Sequence, residues 1–346
     1  MNEFSPHEFT ASHEKQTPRF DISANTISSD LHPEDNQDFN FKLANGFGVF
    51  DGVGGYKGGR EAAMTASEIV RDFFVGLKPT SSQKEVFSAL TDSFKTANKE
   101  ILDNQHKWGT EEKTTGTYGF VRQENGKYLL ELASVGDSRA YLFRDDHLYT
   151  LTQDHNHIRD SEEDLKQAFK VQEELDDYKG DYVLDTKRQW LFNHRNGISQ
   201  CFGSKTSFPD LFTYEIKKGD ILLFCTDGVS DNLTKNEIES IISKNHNQSS
   251  YEITKKIVFE SLSRSRQKTV RSKPDDMTAL VVYINSDPDI ISTPPKTISF
   301  KTDTGLIDSG WIFSHKERAS GFSVLRKTDE KGVTITVKVR QDQIIE

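Results

Sequence analysis

Cysteine is scarce: Cys201 and Cys225 are the two in 346 residues. Two thiols cannot build a disulfide framework. Each lies in an apolar run, so both read as buried free thiols of a reducing compartment, the cytoplasm. Long hydrophobic runs are missing as well. With no stretch of about 18 apolar residues, no membrane-spanning helix is expected. The opening Met1-Asn2-Glu3-Phe4-Ser5-Pro6 has neither the basic start nor the apolar stretch of a secretory signal. Positive charge is in deficit: 44 Lys and Arg against 54 Asp and Glu leave a net −10, the wrong sign for a whole-chain nucleic-acid binder. There is no internal repeat.

What remains suffices for a sizeable core. Apolar residues make up 34% of the chain, on the low side, but 23 Phe and 10 Tyr add bulk. At about 150 residues per domain the length suggests two domains, or one large domain with an appendage. Residues 1–19 are polar and aperiodic and read as a mobile arm. Residues 20–286 alternate strand-like and helix-like stretches. Gly46-Phe47-Gly48-Val49-Phe50 is a strand that stops at Asp51-Gly52. Ala62, Ala63, Ala66, Ile69, Val70, Phe73 and Phe74 fall on one helical face, as do Val86, Leu90, Phe94, Ala97 and Ile101 behind a cap at Ser81-Ser82. Residues 115–152 form an antiparallel meander with a hairpin at Asn125-Gly126. Residues 156–190, acidic and weakly helical, read as an insertion over the core. Ile221-Leu222-Leu223-Phe224-Cys225 is a wholly apolar strand ending at Thr226-Asp227-Gly228, and Ala279 to Ile284 is the last core strand. Asp287-Pro288 and Thr293-Pro294-Pro295 mark a linker over 287–296, and residues 297–346 form a β-rich extension.

Three of these strands stop at an aspartate beside a glycine, Asp51-Gly52, Gly136-Asp137 and Asp227-Gly228, and Asp275 stands just before a fourth. Carboxylates at strand ends can converge at one sheet edge, and crowded ionised carboxylates need a cation to neutralise them. All-oxygen ligand sets suit Mg²⁺ or Mn²⁺. Taken singly, each Asp-Gly is also ordinary turn chemistry. The glycine-rich stretch from Asp51 to Gly59 lacks the ending of a P-loop and the spacing of a dinucleotide fingerprint.

Seven segments, in order, resemble the metal-dependent protein phosphatases (PPM, the type 2C Ser/Thr phosphatases), in the bacterial style. They are Asn36-Gln37-Asp38, Asp51-Gly52-Val53-Gly54-Gly55, Thr115-Gly116-Thr117, Gly136-Asp137-Ser138-Arg139-Ala140-Tyr141, Leu151-Thr152-Gln153-Asp154-His155, Thr226-Asp227-Gly228-Val229-Ser230-Asp231 and Asp275-Asp276-Met277-Thr278. The resemblance covers about residues 20–285. It implies an α+β fold, a four-layer αββα sandwich of two antiparallel sheets flanked by helices. It also implies two Mn²⁺ or Mg²⁺ ions, with a third in members that have one. Asp51 would bridge two ions and the Gly52 carbonyl would bind one of them. Asp227 and Asp275 would complete the other. Asp38 would hold ion-bound water, and Asp137, with Asp227, would take the third ion. Two divalent ions about 3.5–4 Å apart activate a water and stabilise an in-line displacement at phosphorus, so no covalent nucleophile is needed. The implied function is hydrolysis of phosphoserine and phosphothreonine in phosphoprotein substrates by a cytoplasmic monomer, with no nucleic-acid or membrane partner.

Three positions depart from the family pattern. Pro33 stands where an Arg grips the substrate phosphate, with Arg19, His32 and Arg60 as candidates to replace it or as surface residues. Val53 replaces the His of eukaryotic members, a proposed general acid. Gln37 replaces an acidic residue, keeping an oxygen but losing a charge. The Pro33 departure and the C-terminal segment keep a second reading open, a catalytically weak or inactive phosphoprotein-binding scaffold on the same fold. A calcium-binding structural domain is a third, though no segment has EF-hand spacing. Arg264, Arg266, Lys268, Arg271 and Lys273 read either as a dock for an acidic phosphoprotein or as a solvated helix end. His155 and His157 suit a structural role better than a metal role in an oxygen set. Arg139 suits a structural ion pair.

Overall fold

The apolar runs become strands buried on both faces, which is why they do not alternate with polar residues. The computed structural model describes residues 19–53, 57–109, 111–162 and 164–288, and the backbone of five strands between residues 297 and 345. The chain divides into two compact units, residues 1–288 and 289–346. The expected arm falls on residues 1–18 and most of the expected linker on 289–296, outside the described residues.

The first unit opens with β1 (Phe20–Ile27), β2 (Phe39–Lys42), β3 (Gly46–Phe50) and the short β4 (Gly52–Val53). Helices α1 (Lys57–Val75) and α2 (Gln83–Trp108) follow. Next come β5 (Lys113–Thr114), β6 (Gly116–Glu124), β7 (Lys127–Val135), β8 (Arg139–Arg144) and β9 (His147–Thr150). The insertion holds α3 (His157–Asp160), α4 (Leu165–Asp176) and α5 (Thr186–Asn193). The unit ends with β10 (Asp210–Ile216), β11 (Ile221–Cys225), α6 (Asp227–Ser230), α7 (Lys235–Asn245), α8 (Ser250–Ser265) and β12 (Met277–Ile284).

Ten strands form two antiparallel five-stranded sheets, ordered β1-β12-β11-β8-β9 and β10-β7-β6-β3-β2. β4 pairs with β5, joining Gly52 to Thr114. The period-two rule sorts each apolar strand into two layers. Leu222 and Phe224 of β11 and Leu280, Val282 and Ile284 of β12 point into the layer between the sheets, where they meet Phe47 and Val49 of β3. Phe47 and Phe224 pack edge to face at 5.1 Å. The alternate residues Ile221, Leu223, Cys225, Ala279 and Val281 face outward onto Ile238, Ile242, Ile253 and Ile257 of α7 and α8. On the far side, Phe50 and Tyr118 pack under the expected stripes of α1 and α2. The order is helix, sheet, sheet, helix, as the family resemblance implies.

Local signals agree with this packing. Ser82 caps α2 in a reciprocal capping box with Glu85, and Gly109 ends it in the left-handed conformation at φ 66°. The hairpins at Asn125-Gly126 and Asp145-Asp146 put both central residues at positive φ, as a tight hairpin demands. The insertion has a small core of its own, including Ile158, Val171, Leu175, Leu191 and Phe192. The second unit holds β13 (Thr297–Lys301), β14 (Ile307–Lys316), β15 (Phe322–Thr328), β16 (Thr334–Arg340) and β17 (Ile344–Ile345). They form one antiparallel sheet ordered β16-β15-β14-β13-β17.

Candidate functional site

The apolar strands deliver their terminal aspartates to a single edge. Asp51 follows β3, Asp137 lies between β7 and β8, Asp227 follows β11, and Asp275 precedes β12. Asp38 enters from the loop before β2. The charges of Asp227, Asp38, Asp275 and Asp137 all act on Asp51. Burial, reinforced by these like charges, raises the Asp51 carboxyl well above the ordinary carboxylate range. Burial first, then neighbouring carboxylates, does the same to Asp38 and Asp137. Asp227 is pushed up to about 6, by burial and by Asp275 and Asp231, against the pull of Lys273. Asp51, Gly52, Asp227 and Asp275 line a cavity of about 520 Å³.

The backbone around these residues is tightly held. The Asp51 amide donates to Thr115 Oγ1 at 3.1 Å, and the Thr114 hydroxyl donates to the Asp51 carbonyl at 2.7 Å. Thr115 Oγ1 also lies 2.7 Å from Ser138 Oγ, tying Asp51 to the Asp137 turn. Thr226 donates to Asp38 Oδ2 at 2.8 Å. Gly228 admits no side chain, because a Cβ there would lie 1.8 Å from the Asp276 carbonyl oxygen. Asp276 was not singled out from the sequence. Its carboxylate accepts the amides of Ser29 and Gln37, each at 2.7 Å, and so fixes the loop that carries Asp38.

Three buried carboxylate oxygens at this edge, Asp38 Oδ1, Asp137 Oδ1 and Asp227 Oδ1, accept no hydrogen bond. Leaving one such group unsatisfied costs about 1–3 kcal/mol, so three in one place are a large standing penalty. Hard divalent cations are the partners that an all-oxygen set of this kind fits. Among the described residues, however, no three Asp, Glu, His or Cys side chains close into a ready-made ion cage. The Lys273 ammonium contacts Asp227 and lies 3.0 Å from Asp275 Oδ2 and 3.3 Å from Asp231 Oδ2.

The remaining sequence candidates separate clearly. Arg139 forms a buried structural ion pair, 2.7 Å from Asp154 and 2.8 Å from Asp176 of α4. Burial raises Asp154 to about 6 even so. His155 is fully buried; its Nδ1 accepts the Gly136 amide at 3.4 Å and its Nε2 donates to Asp210 at 3.1 Å. His157 packs its ring against Trp190 at 5.3 Å. Of the replacements considered for the phosphate-gripping Arg, His32 lines the cavity, with Nδ1 donating to the Asp35 carbonyl at 2.9 Å. Arg60 instead donates to the Asn36 carbonyl and covers the Phe39 ring. The basic run is not a solvated helix end throughout. Arg264 pairs with Glu237, Arg266 with Asp30, and Lys273 turns into the acidic edge. Arg271 is buried and donates to the carbonyls of Leu175, Tyr178, Ser230 and Leu233. Burial pushes the Cys201 thiol up to about 11 and raises Cys225 as well.

The chain is also similar to known proteins in sequence and in fold. Residues 20–164 match the family model of protein phosphatase 2C. The match spans less than half of the chain, which is similar to that family over those residues. It is 24% identical over 199 residues to the serine/threonine phosphatase stp of Listeria innocua, covering 56% of this chain and 70% of the relative. The solved serine/threonine phosphatase of S. agalactiae superposes with a TM-score of 0.61 at 21% identity, covering 77% of this chain and 100% of the other. The catalytic domain of the phosphatase PstP, solved in complex with two manganese ions, superposes with a TM-score of 0.57 at 20% identity, covering 77% and 99%. At such identities these structures establish the shared fold.

Asp210 links the insertion to the Asp137 turn, and its behaviour with pH is calculable. Burial favours its neutral form, but hydrogen bonds from His155 and Arg159 overcome this and hold its carboxyl at about 2, below the ordinary carboxylate range. A depressed carboxylate stabilises the fold above its unfolded value and loses that contribution as pH falls through its folded value. Asp210→Asn should therefore lower stability at pH 7 by about 1–2 kcal/mol after allowing for solvent screening, a difference that shrinks from pH 4 toward pH 2. Urea unfolding of both proteins across that range measures it. A pH-independent difference would contradict this assignment.

Proposed function

We propose that this protein is a metal-dependent protein serine/threonine phosphatase of the cytoplasm. The observation that carries the reading is the convergence of five aspartates at one sheet edge, with Asp51, Asp227 and Asp275 on the cavity and three of the five carrying buried, unsatisfied oxygens. Asp51 and the Gly52 carbonyl on one side, and Asp227 and Asp275 on the other, would hold two Mn²⁺ or Mg²⁺ ions. Asp38 would stand behind them as a hydrogen-bond acceptor, and Asp137 with Asp227 would offer a place for a third. Such ions, when bound, supply an activated water and charge stabilisation for in-line displacement at phosphorus.

The chain's own groups prepare that chemistry. Threonine hydroxyls fix the backbone of Asp51 and the carboxylate of Asp38 before substrate arrives, so little reorganisation remains for the transition state. Val53 and Ile198 give the cavity an apolar wall. Neither thiol serves as nucleophile, because both are buried and held protonated. Phosphoprotein substrates are the proposed partners. His32, on the cavity and next to Pro33, is proposed to contact the substrate phosphate in place of the missing arginine.

Hydrolysis of phosphoserine, phosphothreonine and phosphotyrosine peptides with Mn²⁺ or with EDTA tests the function. Turnover is expected on the first two, only with Mn²⁺, and Asp51→Asn should reduce kcat by at least about 10³-fold while the fold is retained. Full activity in EDTA or in Asp51→Asn would refute the assignment. Tight Mn²⁺ binding without turnover would leave a phosphoprotein-binding scaffold. A separate comparison addresses His32. His32→Ala should raise KM for the phosphopeptide about tenfold with a smaller change in kcat. An unchanged KM would remove His32 from the phosphate.

A further inference from the structure

Lys273 stands two residues before Asp275, between α8 and β12. Nothing in its local sequence distinguishes it from the rest of a basic run, yet its surroundings set it apart. Its backbone amide donates to Asn232 Oδ1 at 2.9 Å. Asn232 Nδ2 donates in turn to the Lys273 carbonyl and the Gly228 carbonyl, both at 2.8 Å. The next residue is Pro274, which narrows the backbone choices of Lys273 further. The side chain is thus launched from a fixed point into the acidic edge, where it is 20% exposed. Its ammonium touches Asp227 and lies 3.0 Å from Asp275 and 3.3 Å from Asp231. Asp231 is itself held by Arg195 at 2.9 Å. The ammonium therefore sits between two of the carboxylates proposed above as metal ligands, with a third carboxylate steadying it from behind.

We propose that Lys273 is a built-in counter-ion that competes with divalent metal for Asp227 and Asp275. In the metal-free chain the ammonium neutralises part of the charge that would otherwise drive these closely spaced carboxylates apart. A divalent ion can bind both carboxylates only by displacing it, and the long, flexible lysine stem makes that displacement feasible without moving the backbone. Lys273 thereby weakens metal binding at this one position and sets the metal concentration at which it fills. The inference rests on the metal-site reading of the preceding section, and the experiment separates the two.

Isothermal calorimetry with Mn²⁺, on wild type, Lys273→Gln, Lys273→Arg and the exposed control Lys268→Gln, provides the test. It is paired with thermal melting in EDTA and in saturating Mn²⁺. Lys273→Gln should bind its weakest Mn²⁺ at least tenfold more tightly than wild type. In EDTA it should melt lower than wild type, and its gain in melting temperature on adding Mn²⁺ should be larger. Lys268→Gln should match wild type. Lys273→Arg keeps the positive charge and should bind no more tightly than wild type. Tighter binding by the Arg variant overturns the counter-ion role even if the Gln variant does not fold. Mn²⁺ heats that are equal in wild type and Lys273→Gln overturn the role of Lys273 alone. No binding heat from any of the proteins overturns the metal-site reading and this inference together.

Discussion

Mutual repulsion among closely gathered carboxylates, most of them buried, is the constraint around which this structure is organised. Asp38, Asp51, Asp137, Asp227 and Asp275 are drawn from segments far apart in the chain and held at one edge of two packed sheets. Without opposing forces, ionised groups in such a place would separate or take up protons. The fold supplies those forces. Phe47 and Phe224 lock the two sheets together directly behind the edge, so that the strands carrying Asp51 and Asp227 cannot slide apart. Threonine hydroxyls and backbone amides then fix the aspartates one by one, and Lys273 supplies a positive charge among them.

A second ring of buried ion pairs extends this order into the insertion. Arg139, two residues after Asp137, bridges Asp154 and Asp176 of α4. Arg271 gathers carbonyls from the end of α4, the end of α6 and the stretch after it, and Arg195 holds Asp231. These guanidiniums are not surface charges searching for a ligand. They are cross-links between the acidic edge and the helices over it, and removing one would leave a buried carboxylate or several carbonyls unpaired.

Much of the architecture was legible because its local signals agree with its packing. The helical stripes of α1 and α2, the Ser82 cap and the Asn125-Gly126 hairpin each specify what the tertiary structure also needs. The strand-end aspartates were legible because the apolar run before each one ends abruptly. What escaped was non-local. Asp276 binds amides more than two hundred residues away, and nothing beside it hints at that. Arg271 and Lys273 read as members of a basic run, since their partners at 230, 231, 233 and 227 lie in another segment. The insertion gave a weak pattern because its helices bury a small separate core and polar groups such as Gln172 and Asp176 together.

The central claim is that the acidic edge exists to hold hard cations in contact with Asp51. A crystal of the protein grown with Mn²⁺ and measured at the manganese absorption edge tests this most directly. The account predicts two anomalous peaks within bonding distance of Asp51, one of them also bonded to Asp227 and Asp275. Anomalous density elsewhere, with Asp51 in contact with no ion at saturating Mn²⁺, would contradict it.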